Sequence, residues 1–212
     1  MAILDFSYYI VLFLIAIIGL YRFYSFDKAA KLIYAIIMIG ATNEIIVSIF
    51  KYKKMHTMVL YHFYCVIDFF FIILFFLNAI KSRKKHLYIL ISSIILPLLA
   101  ILNIIFLQPI NKFNSNVFIL ESFSVIGMSL YSLYTILIDE RLTMVYKYPN
   151  FWFWVFFLIL NSGTFFFWAC IFPISKDKNL RDIAQNIQVV INIFIYIGFG
   201  FILFFYPKMV RK

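Results

Sequence analysis

Residues 58–79 read Met-Val-Leu-Tyr-His-Phe-Tyr-Cys-Val-Ile-Asp-Phe-Phe-Phe-Ile-Ile-Leu-Phe-Phe-Leu-Asn-Ala, and this run decides the fold. It is apolar on every side, with His62 and Asp68 as the only members that ordinarily carry charge. A helix on the surface of a soluble domain would show a polar stripe, and a membrane barrel strand would alternate in and out. An all-round apolar run of about 20 residues is instead the length a helix needs to cross a bilayer. Working outward, six more stretches share this character: Phe6–Leu20, Leu32–Phe50, Leu87–Leu107, Val117–Ile138, Phe151–Pro173 and Ile187–Phe205. Short charged segments separate them. Seven such helices use nearly the whole chain, so residues 1–212 are expected to form a single all-α, seven-helix transmembrane bundle. Phe6–Leu20 is expected to be a retained span, because no basic region precedes it and no small-x-small cleavage site follows it.

The composition agrees. Hydrophobic types make up 65% of the chain and charged types 13%, where a soluble domain carries about a quarter charged residues. Two Cys, six Gly and five Pro exclude a disulfide-framed, collagenous or low-complexity chain. The net charge of +10 is carried in loops, tails and helix ends. There it meets anionic lipid headgroups and sets topology, so no nucleic-acid partner is expected. Loops one, three and five and the C-terminal tail hold twelve of the Lys and Arg residues, and the N-terminus with loops two, four and six holds seven. The N-terminus is therefore expected outside and the C-terminus in the cytoplasm. The bias toward Ile, Phe, Lys, Asn and Tyr fits an AT-rich genome and a bacterial inner membrane.

Six of the nine acids lie in loops or termini, but Glu44, Asp68 and Glu121 lie inside spans together with His62. A carboxylate at the bilayer centre costs about 2.5–3.5 kcal/mol on insertion scales. Such groups face the bundle interior, pair with a neighbour, or take up a proton. Counting at 1.5 Å per residue places Glu44, His62 and Glu121 roughly 6–9 Å below the outer boundary, with Asp68 deeper. Asn43, Asn103, Ser122, Asn186, Gln188 and Asn192 join the same half, and Asn161 sits near mid-membrane. The expected site is an outward-opening polar pocket lined by the second, third, fifth and seventh spans. Its candidate ligand or proton groups are Glu44, His62, Asp68, Glu121, Asn161 and Asn192. On the third span, Tyr61, Cys65 and Asp68 share a face at i, i+4 and i+7.

Other features read as architecture. Asn161-Ser162-Gly163-Thr164 is either an interruption of the sixth span, as in transporter sites, or a polar packing patch. Ser122, Ser129 and Ser132 form a small-residue stripe suited to close helix packing. Cys65 and Cys170 are expected to be free thiols. No cofactor motif and no metal-ligand spacing occurs.

Three motifs carry a resemblance: Tyr61-His62-Phe63-Tyr64, then Asn114-Ser115 leading to Glu121-Ser122, then Phe151-Trp152. With them the whole chain resembles small seven-helix bacterial membrane proteins of unassigned function. That resemblance implies the fold and brings no activity with it. Microbial rhodopsins share the helix number, but the seventh span lacks the Lys their retinal requires. Alkaline-ceramidase-like hydrolases are loosely similar at Glu44, Ser48, His62 and Asp68. Their paired His on the last helix is replaced here by Gln185, Asn186 and Gln188. The expectation is a sensor, receptor-like subunit or small permease. An intramembrane lipid-modifying hydrolase or an oligomerising membrane effector is the alternative. Expected partners are membrane lipids and a protein contacted through the basic loop 81–86 and the C-terminal tail.

Overall fold

The computed structural model describes residues 2–80, 95, 98–103, 105–110, 114–138, 144–171 and 178–210. Among them there is no strand. Six helices among the described residues are long and apolar enough to cross a membrane. They are α1 (Ala2–Arg22), α2 (Lys28–Tyr52), α3 (Met58–Ala79), α4 (Ser115–Leu137), α5 (Pro149–Phe166) and α6 (Lys178–Val210). Helix α3 coincides with the run that opened the reading. Helix α6 starts nine residues before the apolar segment expected at Ile187, because polar turns around Arg181 and Asp182 remain helical beyond the apolar band. The span expected at Leu87–Leu107 lies largely outside the described residues; within it, residues 98–103 are helical.

The directions of the helices follow from their contacts. Tyr8 meets Tyr196, Gly200 lies against Ile15, and Arg22 meets Phe204, so α1 and α6 are parallel. Phe156 packs on Gly198 while Thr164 bonds Gln188, so α5 opposes α6. Phe118 stacks on Trp168 and Phe123 meets Phe165, so α4 opposes α5 and runs with α1. Helix α3 also runs with α1, because each opposes α2: Tyr9 bonds Glu44 at one end of the α1–α2 pair, and Tyr34 bonds Ala16 toward the other. Two consecutive long helices, α3 and α4, thus point the same way. The chain between Ile80 and Asn114 therefore has to return from one end of the bundle to the other. Ala100, on the helical stretch 98–103, packs with Cys65 and Val117 along that return.

Local chemistry sets the ends of these helices. The Asp27 side chain caps α2 by accepting from the Ala30 N–H at 2.8 Å. It also takes the Tyr206 hydroxyl, which ties the α1–α2 turn to α6. Pro149 opens α5, where its missing N–H costs nothing. Lys54, at φ 55°, takes the left-handed conformation that reverses the chain between α2 and α3.

The two halves of the bundle differ. Toward the Arg22 end, Phe75, Phe76, Phe153, Phe157 and Phe199 form a plug with ring centroids 5.3–5.9 Å apart. Tilted and edge-on rings at that spacing are favourable beyond their buried area. At the same end Arg22 lies 5.2 Å from the Phe204 ring, Lys31 5.3 Å from Phe23, and Lys208 5.6 Å from Phe205. Ser122, Ser129 and Ser132 are buried, as a close-packing stripe requires. Large apolar side chains such as Phe6, Ile17 and Phe201 point outward instead, the pattern of helices whose outer solvent is hydrocarbon.

Helix α5 is not interrupted at Asn161–Thr164. Asn161 Nδ2 donates to Phe157 O at 2.9 Å and Thr164 Oγ1 to Leu160 O at 3.0 Å, so both polar groups fold back on their own helix. The irregularity comes later, as a wide turn over Phe167–Ile171, where the Phe167 N–H points at the carbonyls of Gly163 and Thr164.

One of the close approaches is at Gly198, where an added Cβ would overlap the Phe156 ring. Gly198→Val is expected to destabilise the bundle by about 1–3 kcal/mol. Adding Phe156→Ala should recover part of that loss, measured by denaturant unfolding in micelles. Equal stability of Gly198→Val and the parent would contradict this packing.

Candidate functional site

Helix α3 supplies most of the site. Tyr61, His62, Tyr64, Cys65 and Asp68 occupy its first half, and the 3.6-residue period turns them toward α2, α4 and α6. Cys65 Sγ donates to Glu121 Oε2 on α4 at 2.7 Å, within one buried cluster. Glu121 is 8% exposed and His62 2%. The Tyr64 hydroxyl donates to Asp68 one turn further along the same helix. The other carboxylate oxygen, Asp68 Oδ1, is buried and accepts no hydrogen bond from the described residues. Glu121 lies within electrostatic reach of Asp68, so two carboxylates share this part of the interior.

Glu44 lies across the bundle on α2. It accepts from Tyr9 Oη on α1 at a long 3.5 Å. Tyr8, Tyr61 and Tyr196 are also within its electrostatic reach. Tyr8 and Tyr196 share a hydrogen bond between their hydroxyls. Tyr196 is in turn within reach of Asp68, and Tyr64 within reach of Tyr196. Tyrosine hydroxyls thus occupy the space between Glu44 on one side and Asp68 with Glu121 on the other. Gly40 makes room for them: a Cβ there would stand 3.4 Å from Tyr196 Oη and 3.8 Å from Tyr64 Oη.

The sequence-derived residues divide. Glu44, Asp68 and Glu121 belong to this seam, with His62 buried on the same half of α3. Asn161 bonds its own helix. Asn192 accepts from Gln188 at 3.5 Å, and Gln188 donates to Thr164 at 2.8 Å, so this group joins α5 to α6. Asn103, Gln108, Asn114, Ser115 and Asn116 form a further network that fastens the end of the return segment to the start of α4. The basic loop 81–86 lies outside the described residues, as do the last two residues of the tail. Cys65 and Cys170 are both free thiols.

Two spaces adjoin the seam. A groove of about 570 Å³ runs between α1 and α2 and reaches Glu44. A small gap of about 10 Å³ touches Cys65 and Glu121. Of these two spaces the larger lies beside the first two helices, and the smaller lies between the third and fifth spans of the sequence reading. Hydropathy counts depth along a helix; it does not say which neighbours stand apart. Among the described residues, no three His, Cys, Asp or Glu side chains gather closely enough to share a metal ion.

Sequence reasoning set Tyr61 on one face with Cys65 and Asp68 but missed Tyr8, Tyr9, Tyr64 and Tyr196 as members of the site. The available signal was the position of Tyr64 and Tyr196, which lie well inside their apolar runs rather than at the ends, where an aromatic belt would place them. No protein-family model matches the chain, and no characterised protein or solved structure matches it at a significant level.

The Cys65–Glu121 contact should register in a double-mutant cycle. Cys65→Ala and Glu121→Gln are expected to couple by about 0.5–2 kcal/mol in micelle unfolding. Additive losses would show that the contact contributes nothing. Gly40→Ala should be tolerated and Gly40→Val should not, since only the larger side chain displaces both hydroxyls.

Proposed function

We propose that this chain is a receptor-like subunit or small permease of a bacterial inner membrane. In this reading its outward half binds a small ligand, a lipid headgroup or a proton at the seam formed by Glu44, His62, Asp68 and Glu121. One observation carries the reading: three carboxylates are held around a set of tyrosine hydroxyls inside an otherwise apolar bundle. Helix association alone needs no carboxylates. Serines and amides serve it at lower cost, and this chain already uses them along α4 and between α5 and α6. A retained charge-bearing group in this setting points to exchange with something that comes and goes.

The orientation that suits this reading puts the N-terminus outside and the Arg22 end in the cytoplasm. The loop-charge bias supports it, and so do the cation–ring pairs of Arg22, Lys31 and Lys208 at that end. A cysteine at Asp5 should react with an impermeant maleimide in intact spheroplasts, and one at Lys208 only after lysis. The reverse pattern would invert the topology and close the site to the outside. The C-terminal tail and the basic loop 81–86 are then the surfaces for a partner protein.

The functional test is thermal stability in nanodiscs across a panel of lipids and small molecules, comparing the parent with Glu44→Gln, His62→Ala and Glu121→Gln. Stabilisation of the parent that the variants lose is the expected result; at a hundred times the Kd it amounts to about 2.7 kcal/mol. A uniform fall in stability with no ligand-dependent difference would reduce these residues to structural glue.

A further inference from the structure

Arg22 closes α1 at the end of the bundle that holds the phenylalanine plug, and rings rather than acids hold it there. Its guanidinium carbon lies 5.3 Å from the Tyr21 ring and 5.2 Å from the Phe204 ring. Arg22 is half-buried, and its Nε is buried without a hydrogen-bond partner among the described residues. Two neighbouring cations are placed in the same way, Lys31 over Phe23 and Lys208 over Phe205. Among the described residues, none of the three forms an ion pair. The ends of α1, α2 and α6 that meet here carry Arg22, Lys28, Lys31 and Lys208 against one carboxylate, Asp27. That carboxylate is already engaged, by the Ala30 N–H and the Tyr206 hydroxyl. Ring faces attract a cation but leave most of its N–H donors without an acceptor. The charge at this corner is therefore suited to an oxyanion.

An apolar track runs from these cations along α6, a helix apolar enough to lie in a bilayer. Phe194, Ile197, Phe201, Phe204 and Lys208 stand at i, i+3, i+7, i+10 and i+14, on one face, and all five are exposed. The face lies between α1, which meets Gly200 and Phe204, and α5, which meets Gly198. From Phe194 to Phe204 the helix rises roughly 15 Å, about the depth of one hydrocarbon leaflet. An acyl chain on that track carries its headgroup to Arg22 and Lys208. We propose that this face binds an anionic phospholipid, its phosphate on Arg22 and Lys208 and one acyl chain along Phe204, Phe201 and Ile197. The planar guanidinium matches two phosphate oxygens at once, which a lysine cannot do. A zwitterionic phospholipid fits less well, because its ammonium would stand among Lys31 and Lys208 with Asp27 already engaged. The site lies toward the opposite end of the bundle from Glu44 and is independent of the polar seam.

The test is native mass spectrometry of the full chain, released from maltoside micelles that contain equimolar dioleoyl phosphatidylglycerol and dioleoyl phosphatidylcholine. Circular dichroism confirms that each variant is folded. The expected result is a retained phosphatidylglycerol, preferred over phosphatidylcholine by about tenfold. Arg22→Gln should lower that preference by about fivefold or more. Lys208→Gln, at an exposed position on the same face, should lower it by about threefold and decides the question if Arg22→Gln does not fold. Replacing Lys51 and Lys53 together by Gln removes exposed charge from the far end of α2 and should leave the preference unchanged. Equal retention of the two lipids would overturn the proposal. So would a preference that survives both Arg22→Gln and Lys208→Gln. A preference that falls as far in the Lys51 and Lys53 variant would overturn it as well, since diffuse charge would then account for it. Displacement of the lipid by millimolar glycerol phosphate would name a free anion as the occupant and overturn the lipid.

Discussion

A carboxylate that enters hydrocarbon must be enclosed by protein, and much of this bundle is arranged around that requirement. Glu121 cannot face lipid at an acceptable cost. Its enclosure needs α3 at contact distance, where Cys65 supplies a donor. Asp68, on the same helix, then needs its own donor and takes it from Tyr64. Tyr64 brings its hydroxyl to Gly40 beside that of Tyr196, which brings α2 and α6 to the same point. Tyr196 in turn holds Tyr8 of α1. These contacts come from another helix or an adjacent turn, and five of the six long helices are drawn in by the sequence of obligations.

The opposite half is held by a different force. Phe75, Phe76, Phe153, Phe157 and Phe199 leave no polar group to satisfy, and their contribution is dispersion and ring geometry. Because lipid tails are as apolar as these rings, burial alone gives little drive to associate, and close fit has to supply it. Gly198 against Phe156 and Gly200 against Ile15 show how closely the chains approach where a glycine permits it. One half is thus a packed plug, and the other carries the polar groups and, beside α1 and α2, the open groove.

The candidate site was legible in part. Glu44, His62, Asp68 and Glu121 stood out because charge inside an apolar run is costly enough to need a reason. Asn161 and Asn192 stood out on weaker grounds, and each bonds within its own helix, Asn192 to the Gln188 that reaches Thr164 on α5. Tyr8, Tyr9, Tyr64 and Tyr196 did not stand out, since Tyr is amphipathic and an aromatic-rich chain offers many of them. Only the convergence of Tyr64 and Tyr196 on Gly40 separates those that bond carboxylates and one another from those that merely fill space. The continuity of α5 through Asn161–Thr164 was equally hidden, because polar side chains that return to their own backbone look the same in sequence as those that break a helix.

The sequence by itself determined that the chain is helical and suited to a membrane, and where the long helices run. The length and composition of an apolar run are local properties, and they alone decide whether a helix can cross a bilayer. It also determined which charges are anomalous, since insertion cost depends on residue type and depth. Only the tertiary structure decided which of those charges meet, that tyrosines stand between them, and that the larger open space lies beside α1 and α2. These depend on the rotation of each helix about its axis and on its neighbours. An all-round apolar surface leaves that rotation unspecified until a few polar contacts select one packing from many.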